Sequence, residues 1–431
     1  MTEMPFQTIG SEWLSERAKA MLADEPGLGK SIQAIRAADL VFAVNVLIIA
    51  PASVIGSWHA EIAKWRIGDW AYLVTSYEGA HGAHHSRIFS QRWSVVIIDE
   101  AQYCKSPTAK RTKTIYGDTV GILREFEGII DLADHVWALS GTPMPNNASE
   151  LFTHLRALDP ERIRSKRSGK IWSQEQFTAY FCKLAPAFSG MKIVGSRNED
   201  ELAERLKGFM LRRLKKDVLP ELPDVRFSEF DVEADIKDVD LGIDPQELAE
   251  LKAILERDGV AGLRKNFAHF ASLRRVTGLA KVKPVADYLR MFMETTDRKI
   301  VVFAQHTDVI KALMRQRGAE RFVTITGATH PRARVDAVKR FQEDPFIRGF
   351  FGQIQAAGTG ITLTAAHDLL FVETSWVPSD NAQAAMRIHR IGQKSLCDVR
   401  YAVLPGSIDA IIARAVMRKS ESIAKVLGES T

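Results

Sequence analysis

Two stretches of this chain hold the residue types that phosphate chemistry needs. DEPGLGKS (Asp24–Ser31) puts a lysine and a serine behind two glycines, and DEAQ (Asp99–Gln102) puts two carboxylates side by side just past an apolar run. Gly27 and Gly29 let the backbone turn tightly, so that successive amides face an anion. Lys30 would neutralise the β- and γ-phosphates, and the Ser31 hydroxyl would ligate magnesium. Asp99 and Glu100 are what a magnesium-bound triphosphate and its attacking water require. The strict glycine-rich pattern is not met, because Asp24 stands where the first glycine belongs. SGTP (Ser140–Pro143) follows and can sense the phosphate. Much later, QAAMRIHRIGQ (Gln383–Gln393) carries Arg387 and Arg390 three apart, on one face of a helix with Gln383 a turn earlier. Two guanidiniums so placed would stabilise charge on a transferring phosphoryl group; a solvated basic helix is the alternative. The order and gaps of these four stretches describe an ATP-driven motor. Its arginines lie in a different half of the chain from Lys30, so hydrolysis requires closure.

The elements that must position these residues alternate between strand and helix. VNVLIIAPAS (Val44–Ser53), WSVVIIDEAQ (Trp93–Gln102) and HVWALSGTP (His135–Pro143) read as buried parallel strands with function past their carboxyl ends. SIQAIRAADL reads as a helix whose positive N-terminal end faces the phosphates. From Leu151 to Lys283 the pattern changes to helices and polar loops, including the basic ERIRSKRSGK (Glu161–Lys170) and a helix over Pro245–Gly259. LPELPDV (Leu219–Val225), with two prolines, reads as the hinge between halves. The α/β pattern resumes with KIVVFAQH (Lys299–His306), RFVTITG (Arg321–Gly327), GFFGQIQAAGTG (Gly349–Gly360) and DLLFVETS (Asp368–Ser375). The expected organisation is an N-terminal ATP-binding lobe over 1–222, with a helical insertion at about 151–218. A second lobe covers 223–431, with an insertion at about 239–283.

Composition narrows the class. With 431 residues, 46% hydrophobic and 26% charged, the chain is long enough for two globular domains. Its apolar runs are too short to span a bilayer, no secretory signal opens it, and an intracellular, cytoplasmic setting in a prokaryotic or phage-infected cell is expected. Cys104, Cys182 and Cys397 read as reduced thiols with no zinc module. The net charge of +5 is compatible with nucleic acid without arguing for it.

Other features read as structural. His81, His84 and His85 in GAHGAHH read as a loop, without ligand-spaced partners for a metal. Trp58 and Trp65 read as packing residues, and Trp376 as a buttress for the arginine helix. RRLKKD (Arg212–Asp217) reads equally as a helix face or as a DNA- or nucleotide-linked patch. Gln7 in PFQTIG reads as an exposed polar residue, or as an adenine reader if the N-terminal segment folds over the base.

The chain resembles the Swi/Snf-type ATPases of helicase superfamily two, most of all their HepA-related, annealing-helicase branch. The resemblance runs through PFQTIG, LADEPGLGKSIQAI, APASVIGSWHAEIAKW, VTSYE, VVIIDEAQYCKSPTAKRTK and LSGTPMPNNASELF. It continues through FMLRRLKKDVLPELP, LRRVTGLAKV, ITGATHPRARVDAVKRFQ, AAGTGITLTAA and QAAMRIHRIGQ. It implies an α/β fold of two RecA-like parallel-sheet lobes with helical protrusions at their junction. It also implies an ATP- and Mg2+-dependent translocase on double-stranded or forked DNA, monomeric when free. By position, Gln7 matches the adenine-reading glutamine, and Asp24, Glu25, Pro26, Gly27, Leu28, Gly29, Lys30 and Ser31 the phosphate loop. Asp99 and Glu100 match the magnesium and water-activating acids, and Arg387 and Arg390 the arginine fingers. Pro51, Ser53, Thr75, Ser76, Tyr77, Lys105, Lys110, Arg111, Gly327 and Thr359 fall in blocks that track the DNA backbone. Holding phosphates and ignoring bases suits a motor that moves along any sequence.

Pro26 replaces the usual methionine of the loop, and DEAQ departs from the commoner DEAH or DESH. The chain begins at the glutamine block, which reads as a motor without a preceding DNA-targeting domain. A strand-separating helicase, or a motor subunit or nucleic-acid clamp of a restriction or phage system, remains the alternative.

Overall fold

Strands that are apolar along their whole length must be covered on both faces, and two parallel sheets do this in the computed structural model. It describes residues 3–117, 127–144, 147–187, 190–233, 270–357, 360–375 and 377–405. The chain divides into two units between Leu219 and Pro220.

The first unit contains β1 (Lys19–Leu22), β2 (Asn45–Ala50), β3 (Ala71–Ser76), β4 (Trp93–Asp99), β5 (Ala133–Leu139) and the two-residue β8 (Met210–Leu211). They form one parallel sheet in the order β3-β2-β4-β5-β1-β8. Alternation along each strand divides its side chains between two cores. Leu47, Ile49, Val96 and Ile98 enter one, and Val46, Ile48, Val95 and Ile97 the other. Asp99 is the last residue of β4, and the Asp24–Ser31, Pro51–Ser53 and Ser140–Pro143 segments follow β1, β2 and β5. These segments therefore gather along one sheet edge, where open α/β sheets bind ligands.

The second unit contains β9 (Val225–Asp231), β10 (Lys299–Ala304), β11 (Phe322–Ile325), β12 (Gly349–Gln353), β13 (Ala366–Phe371) and β14 (Cys397–Val403). Their order is β11-β12-β10-β13-β14-β9, again wholly parallel. Cores again lie on both faces, one around Phe303, Phe341 and Phe371 and the other around Val285, Val302 and Leu370.

The expected fold class of two parallel-sheet lobes is therefore found, with six strands in each. The stretch from Leu151 differs in detail from helices and polar loops. Besides helices at Leu151–Leu158, Gln174–Phe181 and Glu199–Leu206 it contains an antiparallel hairpin, β6 (Cys182–Ala187) and β7 (Gly190–Ser196). Among the described residues, Leu184 and Ile193 are the apolar side chains of that hairpin beyond Cys182 that pack on the core, and it lacks the long apolar run that marks the sheet strands. GAHGAHH, read as a loop, forms parts of two short helices, Tyr77–His81 and His85–Phe89, with the His84 Nδ1 2.7 Å from the Thr75 hydroxyl. The helix expected over Pro245–Gly259, Thr359 and Trp376 lie outside the described residues. Cys104, Cys182 and Cys397 are buried free thiols, and burial pushes Cys104 up to about 12. Among the described residues no helix is long and apolar enough to cross a membrane.

Candidate nucleotide site and phosphate loop

The candidate phosphate loop, Asp24–Ser31, is built on a buried charge. Asp24, where a glycine was expected, is fully buried, and its carboxylate accepts from the Arg213 backbone N–H at 3.1 Å and from Arg213 Nε at 3.0 Å. Gln33 Nε2 donates to the same carboxylate at 3.0 Å, and Arg213 also reaches the Phe6 carbonyl and Gln33 Oε1. One guanidinium therefore ties together the N-terminal helix (Pro5–Ser15), the loop and the helix after it (Lys30–Leu40). Removing one partner of such a pair costs about 3–5 kcal/mol, because the other is left buried and uncompensated. Gly10 permits the close approach of the two helices, since a Cβ there would lie 1.8 Å from Gln33 Oε1. The Glu25 carboxylate accepts from the Lys215 amide at 2.7 Å, and Arg212 donates to the Ala23 carbonyl at 2.8 Å. RRLKKD thus serves the phosphate loop through its two arginines and Lys215.

Gln7 is buried, not exposed. Its Nε2 donates to the Leu28 carbonyl at 3.2 Å, and its Oε1 accepts from the Met4 amide. Gly29, with φ +76°, adopts a backbone that favours glycine, and a Cβ there would meet Gln7 Nε2 at 2.4 Å. Gln7 therefore packs on the loop. Lys30 Nζ donates to the Asp24 carbonyl at 2.6 Å. Burial lowers its pKa, an effect that the carboxylates of Glu100, Asp24 and Asp99 oppose. Pro26 lies against the SGTP turn, where a Cβ on Gly141 would meet Pro26 Cγ at 2.7 Å.

The acids are held by residues from three elements. Asp99 Oδ2 accepts from the Trp58 indole N–H at 2.8 Å, and Oδ1 from the Glu100 amide at 3.0 Å. Trp58 does pack, as expected, but its polar edge reaches the acid 41 residues ahead. The pairing follows from sheet order: β2 neighbours β4, so the first inward residue of the helix after β2 faces the end of β4. Burial, with Glu100 alongside, lifts the Asp99 carboxyl well above the usual range, and the Trp58 bond and Lys30 act the other way. Glu100 has φ +53°, a strained setting for a non-glycine residue that costs of order 1–3 kcal/mol and is typical of functional sites. The Tyr77 hydroxyl donates to the Asp99 and Glu100 carbonyls at 2.7 and 3.2 Å.

Glu100 is also wired to SGTP. Gln102 Nε2 donates to Glu100 Oε2 at 2.6 Å, and the Ser140 hydroxyl donates to Gln102 Oε1 at 2.7 Å. The Ser140 hydroxyl in turn accepts from the Thr142 amide at 3.1 Å. The carboxamide of Gln102 is the bridge here, and it carries no titrating proton.

In the second unit the helix Pro378–Ala385 stops before the arginines, which corrects the expected helical spacing. Arg387 and Ile388 amides bond three residues back, to Ala384 and Ala385, so the chain tightens into a turn. His389 Nε2 pairs with the Pro223 carbonyl at 2.8 Å and fixes that turn. Both arginines still converge: Arg387 Nη1 and Arg390 Nη1 donate to the Ile361 carbonyl at 3.3 and 3.2 Å. Arg390 also reaches the Thr362 hydroxyl at 2.9 Å.

The backbone-tracking candidates divide by burial. Ser53 and Lys110 are exposed, while Pro51, Ser76 and Arg111 are half-buried. Thr75 and Tyr77 are buried, the Ser76 hydroxyl caps a helix by accepting from Gly79, and Lys105 pairs with Glu150 at 2.6 Å. Arg111 lies over the Tyr103 ring at 5.6 Å. The Gly327 amide donates to Gln353 Oε1 at 2.9 Å.

Comparison with known families settles the relationship. The SNF2-related domain matches residues 6–69 and 66–233, and the helicase conserved C-terminal domain matches residues 280–392. The chain belongs to the SNF2 family. This SNF2 chain is a helicase-like ATPase by that membership. It is 28% identical over 455 residues to the DNA annealing helicase and endonuclease ZRANB3 of Mus musculus, covering 97% of this chain and 40% of that protein. It is 29% identical over 447 residues to the SWI/SNF-related matrix-associated actin-dependent regulator of chromatin subfamily A-like protein 1 of Drosophila melanogaster, covering 98% and 56%. The SNF2 chain thus spans about half the length of these relatives or less. Among solved structures, the Sulfolobus solfataricus SWI2/SNF2 ATPase core in complex with dsDNA aligns with a TM-score of 0.43 at 22% identity, over 100% of this chain and 94% of that one.

Proposed function

We propose that the chain is an ATP-driven motor that translocates on double-stranded or forked DNA, remodelling forks, reannealing strands or displacing bound protein. The observation that carries the reading is the wiring of Glu100 through Gln102 to Ser140, beside Lys30 and Asp99 on one sheet edge. A carboxylate so fixed can take a proton from an attacking water, and its link to SGTP lets a shift in one element be felt by the other. Lys30, Gly27, Gly29 and the loop amides would hold the phosphates. Arg387 and Arg390 are assigned to the charge that develops on the γ-phosphoryl group.

The residues fit magnesium. The Glu100 charge beside the buried Asp99 calls for a cation there, and among the described residues the Ser31 hydroxyl engages no other group. Ser31 and Asp99 would hold the ion, which supplies charge neutralisation at the phosphates. The names of the relatives, annealing helicase among them, support a DNA substrate. The test is ATP turnover with no nucleic acid, single strand, duplex and forked DNA in turn. Duplex or fork should stimulate most; stimulation by RNA alone, or by nothing, overturns the reading.

A further inference from the structure

The segment 161–197, inserted between β5 and β8, contains eight basic and two acidic residues, a net +6 where the whole chain carries +5. The excess positive charge of the molecule is therefore concentrated here. Three of the eight are committed internally. Arg162 donates to Asp159 and to the carbonyls of Arg205 and Lys207, Arg164 pairs with Glu161, and Lys166 lies 3.4 Å from Glu201. Arg167, Lys170, Lys183, Lys192 and Arg197 form no ion pair or side-chain hydrogen bond among the described residues. All but the half-buried Lys192 are exposed.

Internal ties hold together the segments that carry these five. The turn at 165–170 is tied to Glu201 by Lys166, and Tyr180, just before the hairpin, donates to the same carboxylate at 2.7 Å. Arg197 closes the hairpin base through its amide, which bonds the Phe181 carbonyl at 2.9 Å. In the hairpin, the Leu184–Ile193 pair faces the core, so the next pair, Ala185 and Lys192, faces away. The Lys183 stem lies over Gly195, its Cδ 3.6 Å from where a Cβ would stand. Val194, at the register shift, is 58% exposed, and Met191, which pairs with Pro186 on the hairpin face opposite Lys192, is 63% exposed. Phosphates give such apolar side chains no partner, whereas unpaired base faces do.

We propose that the β6–β7 hairpin and the 165–170 turn form a second DNA surface, which receives the branch point of a fork. The five cations hold phosphates of the diverging arm, while Val194, and Met191 on the hairpin's other face, lie against bases unstacked at the junction. The proposal rests on the DNA-motor reading and adds a structural preference to it.

The test is equilibrium binding by fluorescence anisotropy to a fork and to a linear duplex of equal length, across a salt series. The variants are two double substitutions, Lys183→Gln/Lys192→Gln and Arg167→Gln/Lys170→Gln, and the single substitution Met191→Ser, each checked for an unchanged thermal midpoint. Each double variant should reduce the log–log salt slope on the fork by up to about 1.8, at 0.9 per lost phosphate contact, while linear-duplex affinity changes by less than about twofold. Met191→Ser should lower fork affinity at least about fivefold relative to duplex. Duplex-stimulated ATPase should persist in all three. Unchanged slopes and an unchanged fork preference, or equal losses on fork and linear duplex, overturn the second surface alone. A wild-type chain that binds neither DNA overturns this inference and the motor reading together.

Discussion

The Trp58 indole N–H donates to the Asp99 carboxylate at 2.8 Å, from a helix that begins five residues after β2 ends. A tryptophan of the core thereby fixes the rotamer of the acid assigned to magnesium. Trp58→Phe keeps the apolar packing and deletes the donor. A hydrogen bond to a charged group contributes about 1.5–3 kcal/mol, so turnover should fall by about tenfold or more. The magnesium concentration for half-maximal turnover should rise, while nucleotide binding measured in EDTA stays the same. An unchanged magnesium titration would show that Trp58 only packs.

Lys30→Ala and Glu100→Gln should separate binding from chemistry. The first removes charge from the bound phosphates, so ATP binding weakens and turnover is lost. The second keeps the shape and can still pair with Gln102, so ATP binds while turnover falls by orders of magnitude. Nucleotide affinity and steady-state hydrolysis measured on both variants check this. Retention of more than about a tenth of wild-type turnover by Glu100→Gln would sink its assignment as the base.

The two arginines should behave differently. Arg390 is half-buried, and Arg390→Ala should cost turnover far more than ATP affinity, without rescue by lysine, whose point charge cannot reproduce the planar fork. Arg387 is buried and donates to the Gln383 and Ile361 carbonyls, so Arg387→Ala should also lower the melting temperature. Hydrolysis and thermal melts on the same preparations distinguish the two. Normal hydrolysis by Arg390→Ala in the presence of duplex removes it from the site.

His154 gives the stability a pH dependence of its own. Burial lowers its pKa from 6.5 to about 4, with Nδ1 2.9 Å from the Tyr116 hydroxyl. Between those values the unfolded chain binds a proton that the folded chain does not. Stability therefore falls as pH drops from 6.5 towards 4, by up to about 3 kcal/mol at 1.36 kcal/mol per unit. His154→Gln should flatten that part of the profile in thermal melts; an identical slope in the variant refutes the attribution.

What was legible in the sequence follows from burial. β2, β4, β5, β10 and β13 are covered on both faces and read as apolar runs. β14 hides because Asp398 and Arg400 stand within it, and that charge is absorbed by Arg226, Asp368 and each other. β1 and β8 are too short for any period, and β9 is a half-exposed edge. In the site, the residue types of the loop and the acids were visible. The partners were not, because Trp58–Asp99, Gln102–Ser140 and Asp24–Arg213 are set by sheet order and lie 41, 38 and 189 positions apart.

The Asp24–Arg213 pair carries a consequence for the order in which the chain is made. β1 lies between β5 and β8, and the phosphate loop that follows it is anchored by Arg213. A nascent chain therefore displays Lys30, Asp99 and Glu100 long before the strand and the guanidinium that hold the loop have left the ribosome. Until then Asp24 lacks the guanidinium that pairs with its carboxylate, which must stay hydrated and keeps the loop open. Competence to grip a nucleotide thus arrives late in synthesis, once the insertion that precedes Arg213 has been completed.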